Sequence, residues 1–430
     1  MFILMVTIFL LGILMVALED KIGINKAASA LLMAVVLWVA ASVGADMDIS
    51  SLFVEQLGET SETLFFVMGA LVIIELVDTH GGFRVITSVI STTNKRKLLW
   101  IVAFLTFFLS AILNNIATGV VMIALLRKLV PTKHDRLIFA SMIILAANAG
   151  GSFSPIGDVT TILLWTGGNL TPEHQISMLL LPSLINMVVP LVIMTFWFKA
   201  KSSFGKQLPI QVENATMPEV GRKSRYIILI LGVSTMVLVP FFNSWSGVPP
   251  FMRVMMGMAV LWIYTDLMYG KMKQIDEKSR LSVGRVLSRI DMSTIIFFLG
   301  ILMSVGALNV SGQLGIMGDF MSSHISNPLT ISFVIGIMSS FVDNVALVAA
   351  TMGMYPLAEV GAYAMNSEFW TFLAYCAVTG GSLLIIGSAT GVTIMGMEKI
   401  TFMYYFRRIS LLAVAGYVSG AACFVLLNLL

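Results

Sequence analysis

Four short polar clusters stand in otherwise apolar sequence. One reads Ser110-Ala-Ile-Leu-Asn114-Asn115-Ile-Ala-Thr118-Gly119, and another Ser339-Ser340-Phe-Val-Asp343-Asn344-Val-Ala-Leu. The other two are glycine-rich: Asn148-Ala-Gly150-Gly151-Ser152-Phe-Ser154-Pro155-Ile-Gly157-Asp158-Val-Thr160-Thr161 and Gly380-Gly381-Ser382-Leu-Leu-Ile-Ile-Gly387-Ser388-Ala-Thr390-Gly391. Gly and Pro unwind a helix, and the backbone groups they free need partners. Carbonyls at such a break, together with carboxylates, make a site for a hard cation. Two acids, Asp158 and Asp343, among many neutral oxygens fit a monovalent cation in competition with protons. An anion site would want Arg, Lys or mainly amide and hydroxyl donors, and no Arg or Lys lies in the four clusters. The candidate cation and proton ligands are Asp158, Asp343, Asn344, Asn114, Asn115, Thr160, Thr161, Ser154, Ser339, Ser340, Ser388 and Thr390, with Asn148 beside them. The plainer reading is that Asn and Asp cap tight turns. That reading suits Asp343 least, because capping needs no charge, and a charged Asp at the middle of a bilayer costs at least about 2.5 kcal/mol.

Around these clusters the chain is apolar enough to have lipid as its main solvent. Of its 430 residues 58% are apolar and 11% are charged, where a soluble domain carries roughly 25% charged residues. The 30 Met and 27 Phe residues suit lipid-facing and helix-packing roles. The net charge of +3 points to no acidic partner, and the Lys and Arg residues sit in short loops, which is a topology signal and not a nucleic-acid footprint. Cys376 and Cys423 have neither metal-type nor disulfide-framework spacing and read as small core residues. No Walker, zinc or nucleophile motif is present, so neither ATP use nor enzymatic chemistry is expected. The first 18 residues lack a basic leader region and a small-residue cleavage site, and read as a first membrane helix with its N-terminus outside.

Apolar runs long enough to span the hydrocarbon core fall near 2–18, 27–44, 63–79, 137–166, 177–198, 226–242, 250–268, 292–309, 371–394 and 408–428. The loops at 19–26, 80–97, 127–136, 199–225, 270–291 and 398–408 hold 25 of the 26 Lys and Arg residues, Arg253 being the exception. Those loops are assigned to the cytoplasm, and 45–62, 167–176, 310–328 and 357–370 to the outside. Two stretches, 98–130 and 329–356, are too long for one helix and are polar in the middle. Basic loops flank the first on both sides, so it enters and returns from the cytoplasm; the second enters and returns from the outside. Both read as re-entrant hairpins, which survive at membrane depth only when buried in protein or lining a cavity. The run Lys278–Arg289 reads as an interfacial cytoplasmic helix. Glu75 and Asn148 are secondary candidates for handling protons, Glu75 against a plain inter-helix hydrogen bond. His80, His134, His174 and His324 fall at loop or span ends.

The clusters recur. Asn114-Asn115 aligns with Asp343-Asn344 at an offset of 229, Gly150-Gly151-Ser152 with Gly380-Gly381-Ser382 at 230, and Met68-Gly69 with Leu299-Gly300 at 231. Each half would hold five spans, one of them broken, and one hairpin. An odd number of spans inverts the second half relative to the first, an arrangement of secondary transporters. The fold expected is thus an all-α polytopic membrane protein of two inverted-topology repeats. Its parts are 1–97 (scaffold of the first repeat), 98–198 (transport part), 199–225 (cytoplasmic linker), 226–328 (scaffold of the second repeat) and 329–430 (transport part).

These segments resemble the ion-transporter superfamily, and within it the NhaD-type sodium/proton antiporters, over nearly the whole chain. The likeness is most specific at Gly151-Ser-Phe-Ser-Pro-Ile-Gly-Asp158-Val-Thr160-Thr161 and at Ser339-Ser-Phe-Val-Asp343-Asn344. The resemblance implies efflux of sodium, often also lithium, coupled to proton entry, with functional residues at Asp158, Thr160, Thr161, Ser339, Asp343 and Asn344. Sodium, a substrate and not a cofactor, is expected at Asp158, Thr161, Asp343 and Asn344. It further implies a homodimer in a bacterial inner membrane that moves 98–198 and 329–430 against a fixed scaffold in an elevator motion, while the loop charges put both termini outside. One departure stands out: the family's first hairpin tip tends to carry Asp-Asn, and here it is Asn114-Asn115. The rival reading is an anion or oxyanion carrier of the same fold, for arsenite or a carboxylate. A channel or a non-transporting membrane scaffold is a further alternative.

Overall fold

The computed structural model describes residues 2–43, 49–82, 92, 94–198, 221–241, 248–271 and 283–429. No strand is present among them; Ala358 and Ala364 form an isolated bridge. The first helices are α1 (Phe2–Ala17), α2 (Glu19–Ile22), α3 (Lys26–Val43) and α4 (Ile49–Thr79). Then come α5 (Lys95–Leu113), α6 (Asn115–Leu129), α7 (Lys133–Ser152), α8 (Val159–Thr166) and α9 (Pro172–Thr195). The second half holds α10 (Arg222–Phe241), α11 (Pro250–Lys271), α12 (Val283–Leu287), α13 (Met292–Val310) and α14 (Gln313–His324). It ends with α15 (Pro328–Met338), α16 (Asn344–Met354), α17 (Glu368–Gly380), α18 (Ala389–Glu398), α19 (Phe402–Arg408) and α20 (Ser410–Leu429). Seven of the described helices are long and apolar enough to cross a membrane. The chain is therefore a polytopic, all-helical membrane protein.

Two segments expected as outer loops are helical instead. Residues 49–62 belong to α4, which runs for 31 residues. The segment contains no proline, and it is held by packing: Phe53 meets Trp38 edge-on at 4.9 Å, and Gln56 fills the space over Gly306. Gln56 and Thr60 turn into a groove shared with α13, while Ser51, Glu55, Glu59 and Glu62 stay exposed. Within 310–328, residues 313–324 form α14, whose Gly318 lies against the backbone of Met354. Of the expected interfacial helix Lys278–Arg289, only Val283–Leu287 is helical among the described residues; 272–282 lie outside them, as does most of the linker 199–225.

The stretches 98–130 and 329–356 both fold as helix–turn–helix. In the first, α5 passes to α6 through a single residue, Asn114, whose φ is +67°. Such a turn suits Asn, the non-glycine residue most tolerant of positive φ. In the second, residues 339–343 link α15 to α16. The runs 137–166 and 371–394 are broken as expected, α7 stopping at Ser152 and α8 starting at Val159, α17 stopping at Gly380 and α18 starting at Ala389.

Each hairpin seats on its neighbouring broken helix by the same device. A Cβ on Gly150 would lie 2.0 Å from the carbonyl oxygen of Phe107, and one on Gly380 would lie 1.9 Å from that of Gly336. Ser110 Oγ donates to the Ala147 carbonyl at 2.6 Å, and Ser339 Oγ to the Ala377 carbonyl at 2.7 Å. Two backbones can approach this closely only where one carries no side chain. The remaining helices pack reciprocally: α3 lies against α13, α4 against α11, and α9 against α20.

Ion pairs join the two halves at one end. Glu398, buried at the end of α18, accepts from Arg127 Nε at 2.7 Å and from Arg136 Nε at 3.1 Å. Arg127 also donates to the carbonyl of Met397. Replacing Glu398 with Gln keeps the volume but leaves two guanidinium groups without a counter-charge. The expected loss is about 1–3 kcal/mol, below the range for a fully buried pair because both arginines are partly exposed. A lowered unfolding midpoint of the detergent-solubilised Glu398→Gln protein checks it.

Candidate functional site

Asp158 is the last residue before α8 and is buried. One carboxylate oxygen accepts from the Thr160 backbone N–H and from the Thr160 hydroxyl, both at 2.9 Å. The other accepts a short hydrogen bond from the Asn115 side-chain amide, which reaches across from the first hairpin. Asn344 of the second hairpin points its amide at both oxygens, at 3.4 and 3.5 Å. The carboxylate thus meets donors from three separate segments, which is what an ionised group needs at this depth. The backbone agrees, since Asn115 N–H donates to the Gly157 carbonyl at 3.0 Å.

Asn148 carries the network across the molecule. Its carbonyl oxygen accepts from Asn115 at 3.1 Å, while its amide nitrogen donates to Ser382 Oγ at 2.8 Å and Ser388 Oγ at 3.0 Å. Ser388 caps α18 as Asp158 caps α8. Around this point the N-termini of α6, α8, α16 and α18 converge with the C-terminal ends of α5, α7, α15 and α17. Helix dipoles of opposite sign therefore meet in equal number and offset one another. The net charge at the centre is left to its side chains.

Asp343 caps α16, accepting from Val345 N–H at 3.0 Å, and is half-buried. Asp158 and Asp343 line one cavity of about 30 Å³ together with Asn115, Asn344, Lys26, Thr294, Phe297 and Phe298. That volume holds about one water-sized particle. Lys26 belongs to the start of α3, far from the four clusters in sequence. It was read as a loop charge; only its place next to Asn25, which caps α3 and accepts from Ser293 Oγ at 2.9 Å, hints that it faces inward.

The other expected site residues divide into groups. Thr161 Oγ1 accepts from the Asp158 N–H at 3.2 Å and donates to its carbonyl at 2.8 Å, closing a capping box. Asn114 caps α6 through Ala117 N–H, and Ser154 donates to the Ala111 carbonyl. Ser339 and Ser340 donate to the carbonyls of Ala377 and Ile337. Those five hold the frame rather than touch the carboxylates. Thr390 and Thr118 have buried hydroxyls without a hydrogen-bond partner among the described residues. Thr118 was not singled out as a ligand. Glu75 stands apart, accepting from Thr79 at 3.1 Å and lying 4.0 Å from Arg289. His80, just past the end of α4, is buried, held by the Leu76 carbonyl at 2.7 Å and the Tyr269 hydroxyl at 3.0 Å.

A family model described as citrate transporter, CitMHS, matches residues 8–371. The chain is 41% identical over 424 residues to sodium/proton antiporter 1 of Arabidopsis thaliana, covering 98% of this chain and 72% of that protein. It is 39% identical to sodium/proton antiporter 2 of the same plant, covering 97% of each. The Na(+)/H(+) antiporter NhaD of Vibrio cholerae is 29% identical, over 98% of this chain and 91% of that one.

Asn148 is the pivot of the polar network, so its removal is testable without any transport assay. Asn148→Ala takes one partner each from Asn115, Ser382 and Ser388, although Asn115 keeps Asp158 and Ser388 keeps the Gly391 N–H, and the expected loss is about 1–3 kcal/mol if water does not enter. A double-mutant cycle with Ser382→Ala, read by thermal unfolding in detergent, should give a coupling energy of at least about 0.5 kcal/mol. Additive losses would mean that the 2.8 Å contact carries nothing.

Proposed function

The chain belongs to the CitMHS family and to its NhaD-type sodium/proton antiporters, and from that premise we propose that it exchanges sodium, and lithium as a close analogue, for protons at Asp158 and Asp343. The observation that carries this reading is the cavity of about 30 Å³ lined by two carboxylates. It has room for one small cation and for no organic substrate. A proton on either acid lowers the negative charge that a sodium ion needs, so proton and sodium exclude each other there. Thr160, Asn115 and Asn344 hold the carboxylate of Asp158 in place.

Alternating access follows from two inverted repeats on this proposal. In its support, the glycine and serine contacts of one hairpin recur 229–230 residues later, and α3–α13 mirrors α4–α11. Residues 98–198 and 329–430 would move together as an elevator, joined by the Asn148 bridge and the Glu398 ion pairs. The scaffold of 1–97 and 226–328 stays with the lipid and with a second copy in a homodimer. For a bacterial cell this places the protein in the inner membrane, with both termini outside and the basic loops in the cytoplasm.

A citrate or other carboxylate carrier is the second reading, favoured by the description of the family model. Against it stand the size of the cavity and its two like-charged acids, which repel a polyanion. Everted membrane vesicles loaded with a pH-sensitive dye separate the two. Added sodium or lithium should release protons from the wild-type vesicles, and citrate should not. Asp158→Asn and Asp343→Asn should each abolish sodium-dependent proton movement; normal exchange in either variant would sink the proposal.

A further inference from the structure

One wall of the cavity shared by Asp158 and Asp343 is neither hairpin nor broken helix. It is built from Lys26 at the start of α3 and from Thr294, Phe297 and Phe298 near the start of α13. These two helices pack against each other and belong to the part read as fixed, whereas both acids belong to the part read as moving. Lys26 Nζ stands 4.8 Å from the centre of the Phe297 ring. Among the described residues it makes no ion pair within 4.0 Å. Its position is electrostatically awkward. A cation at the first turn of a helix faces the positive end of that helix's dipole. Glu19 offsets this in part, accepting the Lys26 backbone N–H at 3.0 Å. The ammonium therefore rests on an aromatic face, on a flexible four-carbon stem, next to a cavity whose acids attract it.

We propose that Lys26 is a tethered cation that competes with sodium for the Asp343 side of this cavity. It swings between its resting contact on Phe297 and an ion pair with Asp343, and a sodium ion in the cavity would displace that pair. The proposal deepens the sodium/proton reading and rests on it. A cation–π contact is weak enough to be exchanged for a carboxylate without trapping either position. Because Lys26 sits on the fixed part and Asp343 on the moving part, the same swing joins the two parts when no cation is bound. Lys26 is thus a specificity-setting residue: it fixes how much sodium is needed to load the site.

The test uses the full-length protein in liposomes, with sodium-dependent proton movement followed across a range of sodium concentrations. Wild-type protein must give saturable exchange; its absence would refute the underlying reading and not the role of Lys26. Lys26→Gln should lower the Michaelis constant for sodium on the order of tenfold, as expected for removing one nearby positive charge, and Lys26→Arg should return it toward the wild-type value. Phe297→Leu removes the resting place and should raise the constant several-fold, but only while Lys26 is present. Sodium-dependent thermal stabilisation in detergent reads the same affinities when a variant binds without transporting. Should Lys26→Gln not accumulate, Lys26→Met carries the same expectation. An unchanged sodium constant in the Lys26 variant, or an equal effect of Phe297→Leu with and without the lysine, overturns the proposal.

Discussion

An ionised carboxylate cannot stand alone at membrane depth, and the arrangement around Asp158 is organised by that constraint. Its two oxygens need donors, and the residues beside it in sequence supply only those of Thr160. The others come from Asn115 and Asn344, which are carried by two hairpins from opposite halves of the chain. Bringing both amides to one carboxylate requires both hairpin tips to reach the same point. It also requires the two broken helices to restart there. The local demand of one charge thus specifies the meeting of four segments.

That meeting depends on very close backbone approach. Gly150 and Gly380 let each broken helix touch a carbonyl of the adjacent hairpin, where any side chain would clash. Association in lipid draws little on the hydrophobic effect and relies on such small-residue packing. Ser110 and Ser339 then satisfy the carbonyls that the unwound turns leave open. The polar network is nearly complete. Where it is incomplete, at Thr118 and Thr390, the spare oxygens lie on the same helices as the site.

The two halves differ where the chemistry is. Asp158 faces Ser388 across Asn148, and Asp343 takes the place that Asn114 holds in the first hairpin. A symmetric set of acids would put four carboxylates around one small cavity, a repulsion that only protonation or bound cations could relieve. Two acids, one from each half, suit a site that carries a single small cation. Asn114, lacking a charge to place, caps its own helix instead.

Much of this was legible in the sequence. Polar clusters in apolar runs, glycines at the breaks and the offset of about 230 residues identified both hairpins, both broken helices and both acids, because each is a local pattern within one segment. The loop reading of 49–62 failed for the converse reason. Its acids Glu55, Glu59 and Glu62 are exposed as their polarity suggests, but Gln56 among them packs on Gly306 of another helix, a contact that no local pattern shows. The promotion of Asn148 from neighbour to pivot and the arrival of Lys26 were decided only by the fold. Each depends on what stands opposite a side chain across helices that are distant in sequence. A residue's type and spacing state what it can bond to. Only tertiary packing determines whether an amide meets a carboxylate, a hydroxyl or lipid, because that choice is made through space and not along the chain.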